Sequence, residues 1–134
     1  MIYVLDASAL IALIRDEPGA DLVEALLDSG TDTCSAHAVT LCEAYYDFVR
    51  ASDVGRADEL IAGLMDTGLI VREDMDAAFW RRAGLHKAKI KRVSLADCFC
   101  MALSERLSAE IVTADRHEFE AVEKQGLCKF NFIR

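Results

Sequence analysis

The feature that most constrains this chain is an alternation of short apolar runs with helical patterns, begun by Ile2-Tyr3-Val4-Leu5 and cut off at Asp6. A wholly apolar run of this length, rich in β-branched residues, suits a parallel strand buried on both faces. Thr33 to Ala36 is a weaker strand, Gly68 to Val71 a third, Glu110 to Thr113 a fourth, and Cys128 to Phe132 an edge strand. Between them lie helical spacings. Ser8 can cap a short helix through Leu10, Ile11, Leu13 and Ile14, and Leu22, Val23, Leu26 and Leu27 recur after the Glu17-Pro18-Gly19 break until Gly30. Ala38 to Val49 repeats its apolar positions at three and four, Leu60, Ile61, Leu64 and Met65 mark another helix, and Met75 to Ile90 and Ser94 to Leu107 read as two long ones. A short helix after Asp115 runs to Val122.

Strands alternating with helices predict an α/β fold: a mostly parallel central sheet of four to five strands with helices on both faces. With no repeat, low-complexity tract or linker, residues 1–134 are expected to form one domain, long enough to bury a core without disulfides. The five cysteines make no CxxC pair and suit buried free thiols in a reducing cytoplasm. No apolar run approaches the roughly 20 residues of a membrane span, so the expected setting is cytoplasmic, away from any membrane.

Ligands of such a sheet sit outside the carboxyl ends of the strands. Asp6 follows the first strand directly, and Asp115 follows Ile111-Val112-Thr113 by two residues. Asp97 lies in the first turn of its helix, and Glu43 is the only charged residue between His37 and Asp47. Singly, each has an ordinary explanation: Ser94 with Asp97, and Asp115 with Glu118, fit capping boxes; Asp6 could end a strand; Glu43 could be a plain helix charge. Together, four carboxylates at one edge repel one another unless protons or a cation offset them. Oxygen-only ligands favour Mg²⁺ or Mn²⁺, and such an ion is suited to phosphodiester hydrolysis, singly or as a pair.

The stretch Tyr3-Val4-Leu5-Asp6-Ala7-Ser8-Ala9-Leu10, the lone Glu43, Ser94-Leu95-Ala96-Asp97 and Val112-Thr113-Ala114-Asp115 resemble, in order and spacing, the acidic quartet of PIN-domain ribonucleases. Within these, the chain is most similar to the VapC toxins of bacterial toxin-antitoxin pairs, over roughly Ile2 to Phe119. The resemblance implies an Mg²⁺- or Mn²⁺-dependent endoribonuclease acting on structured RNA such as tRNA or ribosomal RNA. It implies that Asp6, Glu43, Asp97 and Asp115 hold the metal, with Ser8 and Thr113 as supporting hydroxyls, a cognate antitoxin as partner, and a homodimer. Many relatives carry an aromatic three residues after the last Asp. Here Glu118 holds that place and Phe119 follows, so Glu118 is a fifth acid or a capping partner, the second being favoured.

A net charge of −8 argues against indiscriminate nucleic-acid binding. Against it stand Arg81, Arg82, Lys87, Lys89, Lys91 and Arg92, a stretch without Asp or Glu that leads toward Asp97. Arg82, Lys89, Lys91, Arg92 and Arg116 are the candidate phosphate contacts. His37, His86 and His117 share no metal-like spacing and read as structural or surface residues, as Phe79, Trp80, Tyr45 and Tyr46 read as packing. Three other functions compete with this one. A phospho-accepting receiver domain needs consecutive acids near the first strand and a Lys after the last, and both are missing. An Asp-x-Asp phosphatase is disfavoured by Ser8 at the second position. A non-catalytic PIN-like module binding RNA or a partner is the main alternative.

Overall fold

The computed structural model describes residues 1–134. Five strands, β1 (Ile2–Leu5), β2 (Thr33–His37), β3 (Ile70–Arg72), β4 (Glu110–Thr113) and β5 (Lys129–Phe132), form one sheet in the order β3-β2-β1-β4-β5. Every neighbouring pair is parallel. Seven helices, α1 (Ala7–Arg15), α2 (Ala20–Asp28), α3 (Ala38–Ala51), α4 (Val54–Met65), α5 (Ala77–Lys89), α6 (Leu95–Leu107) and α7 (Arg116–Lys124), cover it. The alternation in the sequence is thus the alternation in the fold.

Strand pleating sends successive side chains to opposite faces. Val4 and Ile111 enter one layer with Phe79, Phe99, Met101, Leu103 and Phe119, while Tyr3, Leu5 and Val112 enter the other with Leu10, Val23, Leu64 and Ile133. Both layers are solvent-free at the sheet, which explains why β1 carries no polar residue. Each fully buried side chain of this size stabilises the fold by about 1.5–3 kcal/mol. His37 fills the first layer as a flat ring against Phe79 and Phe99, its centroid 5.2 Å from each. Its Nδ1 accepts from Val39 N at 3.1 Å and its Nε2 donates to the Asp74 carbonyl at 2.9 Å, so it is a structural residue, as expected.

From β1 the chain builds outward through β2 to β3, then returns past β1 to add β4 and β5. The strand order therefore reverses between β1 and β4, and a crevice opens outside their carboxyl ends. Asp6 and Asp115 stand one on each side of it.

Several local expectations shift for physical reasons. Asp6, not Ser8, caps α1: its Oδ1 accepts from Ala9 N at 2.9 Å, and Ser8 sits inside the first turn. Gly68 adopts φ +88° in a turn, so β3 begins only at Ile70. α2 ends at Asp28, with Ser29 rather than Gly30 as its cap. Asp53 caps α4 by accepting from Arg56 N at 2.8 Å, which starts that helix well before the half-buried Leu60 and Ile61. All five cysteines are free; Cys34, Cys98 and Cys100 are buried and Cys128 is half-buried, but Cys42 is exposed on α3. Trp80 and Tyr46 are likewise about half exposed, in contrast to Phe79. No helix is long and apolar enough to cross a membrane.

Candidate functional site

Asp6 is buried, 4% exposed, yet three donors reach it: Ser8 Oγ at 2.7 Å, Ala9 N at 2.9 Å and Thr113 Oγ1 at 2.5 Å. A carboxylate met only by donors is the acceptor of an ionised site. Burial pushes its pKa above the usual carboxylate value, and the three donors pull the other way. The same hydroxyls hold the β4 end in place. Thr113 Oγ1 accepts from Asp115 N at 2.9 Å and Ser8 Oγ from Ala114 N at 2.9 Å, so two hydroxyls tie the ends of β1 and β4 together.

Two helices bring the remaining acids to this edge. Asp97 is the third residue of α6 and completes a capping box: Ser94 Oγ accepts from Asp97 N at 3.1 Å, and Asp97 Oδ2 from Ser94 N at 3.2 Å. Glu43 projects from α3, one turn after the fully buried Thr40. Thr40 Oγ1 lies 3.2 Å from Cys100 Sγ, one turn after Asp97, so this contact fixes α3 against α6 at the height of both acids. Asp6, Ala7, Ser8, Glu43, Ser94, Asp97, Asp115 and Glu118 line one cavity of about 160 Å³, with no Lys or Arg among them. All four expected acids therefore share it. Burial, reinforced by the charges of Asp6 and Glu118, pushes Asp97 up to about 7. Burial also raises Glu43, with Asp6, Glu118 and Asp47 adding to it.

Glu118 corrects the favoured reading of it as a capping partner. Asp115 Oδ1 does accept from Glu118 N at 2.9 Å, but the N–H of Asp115 is taken by Thr113, so the reciprocal bond of a capping box is not made. The carboxylate of Glu118 enters the cavity instead. An acid at the third position of a helix signals both arrangements, and only the Asp115 partner decides between them.

The basic candidates separate. Arg82 is not at this edge: α5 and α6 form a hairpin, so Arg82 meets the far end of α6 and donates to Glu105 at 2.6 and 3.0 Å. Glu105 lies eight residues beyond Asp97, about 12 Å along the helix. His86 bonds the same carboxylate and is buried. Arg116 turns away as well, donating from Nε to the Arg134 carbonyl at 2.8 Å and lying 4.7 Å over the Phe132 ring. Lys89, Lys91 and Arg92 are exposed along the end of α5 and the turn that leads to Ser94 and Asp97. Arg92 reaches His117 on α7 at 3.3 Å, which sets it beside the Asp115 end of the cavity. Lys87 shapes that turn by donating to the carbonyls of Lys91 at 3.0 Å and Val93 at 2.7 Å, a role with no signal in a charge run.

The donor set is entirely oxygen, which fits Mg²⁺ or Mn²⁺ and not a soft metal. No three His, Cys, Asp or Glu side chains are pre-assembled as a chelate.

Comparison with known proteins bears on the same residues. The family pattern of the PIN domain matches residues 3–125, a span that contains all five acids. No curated protein matches the sequence. Among solved structures, a chain of the DNA-bound VapBC2 complex of Rickettsia felis is similar at TM-score 0.77 and 16% identity, covering 98% of each chain. A chain of the DNA-bound VapBC complex of Salmonella typhimurium is similar at TM-score 0.76 and 19% identity, covering 100% of this chain and 99% of that one. VapC20 of Mycobacterium tuberculosis, a sarcin-ricin loop cleaving toxin, follows at TM-score 0.72 and 18% identity, covering 90% and 95%. At such identities the likeness is one of fold, and it agrees with the sequence pattern: this chain belongs to the PIN-domain family.

Proposed function

We propose that this protein is a divalent-metal-dependent endoribonuclease, the VapC-type toxin of a toxin-antitoxin pair, with Mg²⁺ or Mn²⁺ as its cofactor. The observation that carries the reading is the cavity at the β1–β4 switch point, lined by carboxylates without a basic side chain. Asp6, Glu43, Asp97 and Asp115 are the residues that would hold the cation. A bound divalent ion would supply charge neutralisation at the scissile phosphate and a water acidic enough to attack it. Ser8 and Thr113 orient Asp6 and the Asp115 loop at the mouth of the cavity.

Lys89, Lys91 and Arg92 make the rim that would meet RNA phosphates; Arg82 and Arg116 are already engaged and are assigned structural roles. The similar VapBC complexes support an antitoxin as partner, and the acidic surface of this chain suits a basic segment of it. A cytoplasmic setting and a homodimer belong to the same reading.

The test is cleavage of structured RNA by purified protein. Cleavage is expected with Mg²⁺ or Mn²⁺, and loss of it in EDTA and in Asp97→Asn while circular dichroism is unchanged. RNA binding that persists in EDTA, with cleavage in no metal, would instead establish a non-catalytic PIN-like module.

A further inference from the structure

The solvent face of α5 carries an inference that rests on the nuclease reading and extends it to how RNA is held. Helix α5 buries Phe79, Ala83 and His86 and turns its other side to solvent. Trp80, expected from the sequence to pack, is about half exposed there, as is Leu85. The guanidinium of Arg81 lies 5.1 Å from the centre of the indole ring, so a cation stands against the aromatic surface. Arg81, Lys89, Lys91 and Arg92 are exposed and in no ion pair, whereas Arg15, Arg56, Arg72, Arg82, Arg106 and Arg134 each meet a carboxylate. From Ala77 to Ala96 there is no Asp or Glu, in a chain of net charge −8. One turn beyond Trp80 stands Gly84, exposed, where an added Cβ would meet no neighbouring group within 4 Å. Glycine inside a helix destabilises it relative to alanine, and no packing within the chain asks for it here. Lys87, two turns beyond Trp80 on the same side, reaches the carbonyls of Lys91 and Val93, so this edge of α5 runs into the turn that leads to Asp97.

We propose that this face of α5 is a docking surface for an unpaired stretch of the RNA substrate, with a base stacked on Trp80, the backbone passing over Gly84, and Arg81, Lys91 and Arg92 on its phosphates. An exposed aromatic ring set among cations takes unpaired nucleotides in this manner. Trp80 lies about 15 Å back along the helix from Ile90, so the surface is outside the acid-lined cavity and delivers the strand to it. A second copy of this chain fits worse. A two-fold contact sets each residue of the face near its own counterpart, and these cations would meet with no acid in the face to offset them.

The experiment titrates the full chain, in EDTA at low salt, with a ten-nucleotide oligouridylate, labelled for anisotropy and unlabelled for the emission of Trp80, the sole tryptophan. Wild type is expected to bind with its indole emission quenched. Trp80→Ala is expected to lose about tenfold in affinity, and Trp80→Phe, which keeps a ring to stack on, to recover most of it. A Trp80 that only packs would move the melting point and leave the affinity alone. Gly84→Leu is expected to melt above wild type, because leucine favours a helix, and yet to bind RNA more weakly, a combination that loss of the fold does not produce. Binding without quenching, or wild-type affinity in Trp80→Ala or Gly84→Leu, overturns the proposal. So does a shift toward monomer in the sedimentation of Trp80→Ala, which would make the face a contact between copies. In each of these cases the nuclease reading stands if wild type cleaves RNA with Mn²⁺. Quenched binding by a protein that cleaves in no metal supports the docking surface and removes the nuclease reading.

Discussion

Thr113→Val isolates what the buried hydroxyl between the two central strands contributes. Thr113 is fully buried and its Oγ1 has two roles, donating to Asp6 and accepting from the Asp115 N–H. Valine keeps the shape and strand preference but loses both. A hydrogen bond to a charged group is worth about 1.5–3 kcal/mol, and stranding the Asp115 N–H costs about 1 kcal/mol more. The added methyl offsets about 0.8 kcal/mol. The expected net loss is about 2–3 kcal/mol, or about 8–12 °C in Tm for a chain of this length. Urea unfolding followed by far-ultraviolet circular dichroism, in EDTA at neutral pH, measures it. Thr113→Ser, which keeps the hydroxyl, should recover most of the loss. A valine variant within about 0.5 kcal/mol of wild type, the range of an ordinary surface change, would refute the reasoning.

Gly19 has φ +99° and a Cβ there would lie 2.7 Å from Ile133 Cγ1, so Gly19→Ala should lower stability by about 1–3 kcal/mol in the same assay. Arg82→Ala should destabilise the fold yet leave RNA affinity unchanged, whereas Arg92→Ala should do the reverse; fluorescence anisotropy against a salt series would expose the opposite ranking. Lys87→Met should speed amide hydrogen exchange across residues 90–94, because the turn loses both its tethers; unchanged rates would show that the turn holds itself. The metal-free protein should lose stability as pH rises. Asp97 holds its proton to about 7 in the fold but only to about 4 in the unfolded chain, so its contribution is complete below about pH 4 and lost through pH 7. Melting points in EDTA across this range should fall, less steeply in Asp97→Asn, and a flat wild-type profile would count against it.

The apolar run Ile2–Leu5 announced a buried central strand because its residues must satisfy two layers at once, and Asp6 announced the strand's end because no carboxylate survives between those layers. The four acids were legible for the same reason: a charge isolated in an apolar pattern has to be positioned by something. What the pattern hides is pairing in space. Ser8 and Asp6 are both good caps, and the choice fell to Asp6 because Ser8 is drawn to the Ala114 N–H, more than 100 residues away. Arg82 and Arg92 belong to one charge run, but the α5–α6 hairpin sends them to opposite ends of α6. Glu118 satisfies the spacing of a cap whether or not the N–H it needs is free.

The bond from Thr113 to Asp6 spans 107 positions of chain, against 31 for the pairing of Ile2 with Thr33. Closing the longer loop costs about 1 kcal/mol more in chain entropy, and connectivity therefore predicts that β1 and β2 associate before β4 arrives. Pulse-labelled amides on the β2 side should become protected ahead of Asp6 N, whose acceptor is the Val112 carbonyl. A partly folded chain with β1 to α4 in place would hold Asp6 and Glu43 and no more of the acids. The cluster comes together only when this long loop closes, so assembly of the acidic cavity and completed folding become one event.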